Sequence, residues 1–114
     1  MPTNYISVMR PPSWLVEELT GRADRFELSL SRYAGMILSH ACAHQADYDE
    51  GEMPNKKNLP EHNGNLNIPA SGLVKTAIRN WGKQKKRTLN QQTIYILKRS
   101  LSMDLSLKDL HEES

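Results

Sequence analysis

Two stretches decide how this chain is read: ISVMRPP at residues 6–12 and LNIPASG at residues 66–72. Each alternates apolar with polar residues for a few positions, stops at proline and runs into a helical pattern. A period of two marks a strand with one buried face. A strand this short cannot persist alone in water, because its backbone donors and acceptors would stay unpaired. Pairing the two segments antiparallel satisfies both and makes a two-stranded ribbon.

In the first unit, Pro11 and Pro12 end the extended stretch, and proline suits a first helical turn, where its missing N–H is not needed. Trp14, Leu15, Leu19, Ala23 and Phe26 then recur near helical spacing and predict one apolar face. Ser31 is the expected N-cap of a second helix, with Tyr33, Ala34, Ile37, Leu38 and Ala41 as its buried stripe. The second unit repeats the plan. Leu66 and Ile68 alternate with Asn65 and Asn67, Pro69 marks the turn, and Leu73, Val74, Ala77, Ile78 and Trp81 form the helix face. Gly82 is the expected helix stop. Asn90 then caps a last helix with Thr93, Ile94, Ile96, Leu97 and Leu101 inside. An offset of 58 residues places Pro11 on Pro69, Leu19 on Ala77 and Ala23 on Trp81. One further residue in the inter-helix turn brings 29–31 onto 88–90.

The organisation expected is therefore a strand-helix-helix unit over residues 1–46, a linker over 47–63, a second unit over 64–103 and a tail over 104–114. The linker, DYDEGEMPNKKNLPEHN, carries two prolines, a glycine and many polar residues, and reads as a connecting loop with a disordered acidic part. Extended, it reaches up to about 55 Å, enough to return the second strand beside the first. A lone ribbon is marginal, so four helices must cover one of its faces, giving a mainly α architecture. The other face stays bare, and a two-stranded ribbon is one of the few elements that enters a DNA major groove.

The order strand, proline, PSWLVEELTGRA, then S-L-S opening a second helix resembles the ribbon-helix-helix DNA-binding proteins of the Arc and MetJ type. The resemblance covers residues 5–45 and 65–102; the second unit departs at Gly72, early in a helix, and at Trp81, where a small residue is usual. In that family two chains each give one strand and two helices. The resemblance thus implies two ribbon-helix-helix units in one chain, a pseudo-dimer similar to the tandem accessory proteins of conjugative transfer. It further implies that outward strand side chains read base edges. In the second unit these are Asn65 and Asn67, and asparagine suits a bidentate pair with adenine. In the first, alternation sets Tyr5, Ser7 and Met9 outward, whereas matching the family proline to Pro12 turns Arg10 outward as a guanine reader. A slip of one residue exchanges the set, and both registers stay open.

The family's second contact is to phosphate at the N-terminus of each second helix, where free N–H groups and the positive dipole end favour an anion. The matching residues are Ser29, Ser31 and Arg32 in the first unit. In the second they are Thr88 and Asn90, preceded by Lys83, Lys85, Lys86 and Arg87. Charge is distributed accordingly. The chain carries +2 overall, but residues 64–103 hold eight Lys or Arg and no Asp or Glu, leaving −6 for the rest. Such asymmetry suits a polyanion partner, and equally a solvated basic face. Two unlike units imply an asymmetric DNA site.

Other chemistries find little support. His40, His44 and Asp47 have zinc-like spacing on a helix, yet nothing completes a catalytic pattern, and solvated histidines near a helix end explain them equally. No metal, cofactor or catalytic residue is expected. Cys42, the single cysteine, cannot form an internal disulfide and reads as a small buried hydrophobe. With no secretory or membrane-spanning pattern in the sequence, a cytoplasmic location is expected. The reading is a sequence-specific double-stranded DNA-binding protein, a bacterial or mobile-element repressor or an accessory factor at a transfer origin, acting as a monomeric pseudo-dimer or a homodimer on DNA. The rival is a protein-interaction module, an antitoxin or adaptor. Its tail, with Leu105, Leu107 and Leu110, would dock a protein partner or else form a terminal helix.

Overall fold

The computed structural model describes residues 4–111; the first three residues of the first unit and the last three of the tail lie outside the described residues. Along the chain run β1 (Tyr5–Met9), α1 (Ser13–Arg25), α2 (Leu30–Ala43), α3 (Gln45–Asp49), β2 (Asn65–Pro69), α4 (Gly72–Gln84), α5 (Leu89–Leu101) and α6 (Leu107–His111). The described residues are mainly helical, with one two-stranded antiparallel sheet. Among the described residues six helices stand where four were expected, because short ones form at the junction of the first unit with the linker and in the tail.

β1 and β2 pair with Ser7 opposite Asn67, Tyr5 opposite Pro69 and Met9 opposite Asn65. Alternation then sends Ile6, Val8, Leu66 and Ile68 inward, where all four are buried. They meet Leu15, Leu19, Ile37, Leu38, Ile78, Trp81, Ile96 and Leu97 in one core. Burying each such side chain contributes on the order of 1.5–3 kcal/mol, and this is what holds a five-residue ribbon against water. α2 passes close to β2 at Gly35, where a Cβ would stand 2.8 Å from the Pro69 carbonyl oxygen. Gly35→Ala is expected to cost about 1–3 kcal/mol by forcing β2 off α2, read as a lowered urea midpoint with unchanged slope.

The helix ends correct several expectations. An N-cap needs extended backbone, and Ser29 (φ −69, ψ 155) and Thr88 (φ −71, ψ 167) have it. Ser31 and Asn90, two residues later, already lie inside their helices. Ser29 Oγ accepts from the Arg32 N–H, while Thr88 and Gln91 form a reciprocal capping box. Gly82 is no stop, since α4 continues to Gln84. The chain leaves α4 through Lys86 at φ 58, and the Arg87 N–H returns to the Gly82 carbonyl. Glu27 at φ 57 and the Leu28 N–H on Ala23 do the same after α1. Gly82 serves close approach instead: a Cβ there would meet the Arg87 oxygen at 2.9 Å.

These caps also fix the internal alignment. Both the first and the second helices of the two halves start 59 residues apart, so Ala23 matches Gly82, small on small, and Trp81 matches Arg22. The offset of 58 in the first helix was one short. Leu73, expected inside, is 85 % exposed, because the first turn of α4 stands clear of the core; its counterpart Trp14 is half-buried.

From residue 50 on the linker is the connecting loop expected, but it is packed onto the fold and its first residues are helical. Its acidic start forms α3, which buries Tyr48 completely against Trp81. Asp49 accepts from Trp81 Nε1 at 2.9 Å and lies 3.5 Å from Lys85 Nζ. Arg99 of α5, 7 % exposed, holds the segment by its main chain, donating to the carbonyls of Asp47, Tyr48, Glu50 and Glu52. Farther on, the linker straps across the entry to α1. The Ser13 N–H donates to Pro60 at 3.0 Å, and the His62 N–H donates to Pro11 at 2.7 Å. Lys56 pairs with Glu18 and lies over the Trp14 ring.

Tyr48 is expected to make the protein alkali-sensitive. Burial pushes its phenol well above the ordinary tyrosine range, with the His40 Nδ1 at 3.0 Å from the hydroxyl. An unfolded chain ionises tyrosine at about pH 10 while the fold resists, so stability present below that pH is lost as pH rises above it. Tyr48→Phe is expected to lose less of its urea midpoint than the parent between pH 8 and pH 11, roughly. Parallel declines would show that other groups carry the effect.

The tail packs on this chain's own α2. Leu110 is fully buried, Leu105 and Leu107 are half-buried, and Ser106 and Asp109 cap α6. The apolar residues considered for an outside partner are thus largely taken up internally. Among the described residues, no helix is long and apolar enough to cross a membrane.

Candidate nucleic-acid interface

The face of the ribbon turned away from the helices carries every second side chain of both strands. Tyr5 is 44 % exposed, Met9 60 % exposed, and Ser7, Asn65 and Asn67 are exposed as well. The five lie on one surface, with Ser7 and Asn67 paired at its centre. The open question of the first strand's register is answered by Ile6 and Val8 in the core, which place Tyr5, Ser7 and Met9 outward. Arg10 stands beyond the strand at φ 46, exposed beside the end of this surface. Pro69, opposite Tyr5, completes the bare face and was missed because it reads as a strand terminator; the pairing is its only signal.

Chemically the surface is polar and uncharged at its centre. Each asparagine amide offers a donor and an acceptor at once, and serine and tyrosine hydroxyls can do either. Cationic groups sit at its margins. Arg32 is exposed in the first turn of α2, and Lys83 and Lys86 are exposed ahead of α5. Lys75, Arg79 and Lys83 follow one another at four-residue steps along α4.

The two helix N-termini differ from the simple expectation. In each helix the N3 amide is satisfied by its cap, at Arg32 and at Gln91, which leaves the N1 and N2 amides of Leu30, Ser31, Leu89 and Asn90 without an intrahelical carbonyl. Ser31 is half-buried and Ser29 exposed. The Asn90 side chain is already engaged: its Oδ1 accepts from the Met9 N–H at 2.7 Å and its Nδ2 donates to the Met9 carbonyl at 3.3 Å. It thus continues the ladder at the outer edge of β1. Two of the four flanking cations are also committed. Lys85 pairs with Asp49, and Arg87 lies 4.0 Å over the Tyr95 ring while donating to Gln92 Oε1.

The remaining chemistry-bearing residues have structural surroundings. The His40 and His44 rings stack at 4.3 Å, and His44 lies 3.8 Å from Asp47. Among the described residues no group of three or more His, Cys, Asp or Glu could hold a metal ion. Burial pushes the Cys42 thiol up to about 11. Comparison with protein-family models, with curated proteins and with solved structures gives no match.

Proposed function

We propose that this chain is a sequence-specific double-stranded DNA-binding protein, a tandem ribbon-helix-helix regulator that lays its ribbon in the major groove. In this reading β1-α1-α2 and β2-α4-α5 are the two units of a pseudo-dimer. Supporting it are helix starts 59 residues apart, matching caps at Ser29 and Thr88, and matching left-handed exits at Glu27 and Lys86.

One observation carries the functional reading. A ribbon assembled from segments 60 residues apart is closed by helices on one face and leaves Tyr5, Ser7, Met9, Asn65 and Asn67 bare on the other. A fold needs the buried face; the uncovered one has no role in holding it together. Its width and polar character suit base edges. Phosphates flanking the groove would meet the N-termini of α2 and α5, with Arg10, Arg32, Lys83 and Lys86 as the available cations. Ser7 opposite Asn67 and Met9 opposite Asn65 make the two half-sites chemically unlike, so the target is asymmetric.

Selection from random duplex oligonucleotides, followed by gel shift of the winner, tests this directly. With four phosphate contacts, affinity is expected to fall about 100-fold between 50 and 200 mM salt. Failure to enrich any sequence would count against the reading. So would an enriched duplex whose binding ignores salt.

A further inference from the structure

We propose that the cavity between the C-terminal ends of α1 and α5, at the far end of both helices from their starts, binds a small carboxylate with an apolar body. The cavity holds about 320 Å³, within the range of small-molecule sites. Arg22 and Arg25 line it together with Phe26, Tyr33, Met103 and Leu105. Arg22 is positioned by donation to the Leu101 carbonyl at 2.8 Å. Asp104 also lines the cavity, yet among the described residues no carboxylate lies within ion-pair distance of either guanidinium. Burial pushes the Tyr33 phenol up against the pull of both arginines.

The other half of the chain indicates what such a place accepts. By the 59-residue correspondence Arg22 matches Trp81 and Phe26 matches Lys85. There the Asp49 carboxylate sits 2.9 Å from Trp81 Nε1 and 3.5 Å from Lys85 Nζ, with the Tyr48 ring edge-on to the indole. At that place α3, from before the second unit, therefore supplies a carboxylate and an aromatic ring. Against the first half the matching short helix is α6, which follows α5 by a longer connection, packs on α2 and buries Leu110 in place of a tyrosine. Two guanidiniums and an apolar wall of Phe26, Met103 and Leu105 then face the cavity. Guanidinium binds carboxylate through paired donors, and the wall takes the body of the ligand. The comparison of halves rests on the tandem reading above; the binding needs no DNA, so each can fail without the other.

An NMR titration of the full chain tests it with three probes: 4-hydroxyphenylacetate, the uncharged p-cresol and inorganic phosphate. Saturable amide shifts at Phe26, Tyr33 and residues 101–105 are expected with the first. The other two are expected to bind at least about tenfold more weakly. Arg25→Gln, at an exposed position, is expected to weaken 4-hydroxyphenylacetate by about tenfold with the rest of the spectrum unchanged. Equal binding of p-cresol would overturn the charge requirement, and equal binding of phosphate the apolar one. An unaffected Arg25→Gln variant, or no saturable shift at millimolar 4-hydroxyphenylacetate, would overturn the site.

Discussion

Asn67→Asp is expected to lose specific DNA binding by at least about 100-fold while leaving the fold untouched. Asn67 occupies the middle of the bare ribbon face, directly across from Ser7. A bidentate amide-to-adenine pair is worth about 1–3 kcal/mol of discrimination, and the substitution removes its donor. In the proposed complex it would also set a negative charge between two phosphate strands, where like charges cost several kcal/mol more, roughly. Stability is spared because the side chain is exposed and the ribbon is held from its other face. Asn67→Ala removes only the first contribution and is expected to lose roughly tenfold to 100-fold. Gel shifts on the selected duplex, beside urea melts of each variant, separate the two effects. An aspartate variant that binds as tightly as the parent would mean that the ribbon face does not meet DNA.

Arg99→Met is expected to produce the largest loss of stability of any single change described, about 3–5 kcal/mol. The guanidinium is buried and satisfies four carbonyls of the α3 region, from Asp47, Tyr48, Glu50 and Glu52. Methionine keeps much of the apolar stem and strands those acceptors, each at a cost of about 1–3 kcal/mol if it stays dry. Some will regain water, which keeps the sum below the full count. Freed from Arg99, α3 would draw Tyr48 out of the core and release Asp49 from Trp81. Against a total of about 5–15 kcal/mol for a domain, such a loss is severe. Equilibrium unfolding with tryptophan fluorescence reads both, since Trp81 reports the same contact. Lysine at 99 is expected to recover only part, because its ammonium cannot span four acceptors at once.

The same residues show where sequence reading succeeds and where it stops. Leu66 and Ile68 are legible because strand alternation and the following proline are local signals. The stripes of α2 and α5 are legible for the same reason. Caps were misplaced by two residues because Ser29 and Ser31, like Thr88 and Asn90, are all good capping types; only backbone conformation chooses between them. Leu73 was placed inside because periodicity does not tell whether a helix's first turn has anything above it. Arg99 and Tyr48 were out of reach altogether. The carbonyls that Arg99 holds lie about fifty residues away, and Tyr48 sits among them in a stretch whose composition is that of a loop. At the candidate interface, the outward set of the second strand followed from alternation alone. That of the first needed the core to choose between two registers. The commitment of Asn90 to Met9, and of Arg87 to Tyr95, follows only from how α5 sits against its neighbours.

Ile6 faces Ile68 and Val8 faces Leu66 within a single covalent molecule. A ribbon shared between separate subunits falls apart on dilution, and its occupancy of a target drops steeply once subunits dissociate. Here the intervening residues hold the partner strand at a fixed effective concentration, whatever the amount of protein present. Occupancy of a target would then follow a simple hyperbola in protein, so that a scarce protein could still fill its site.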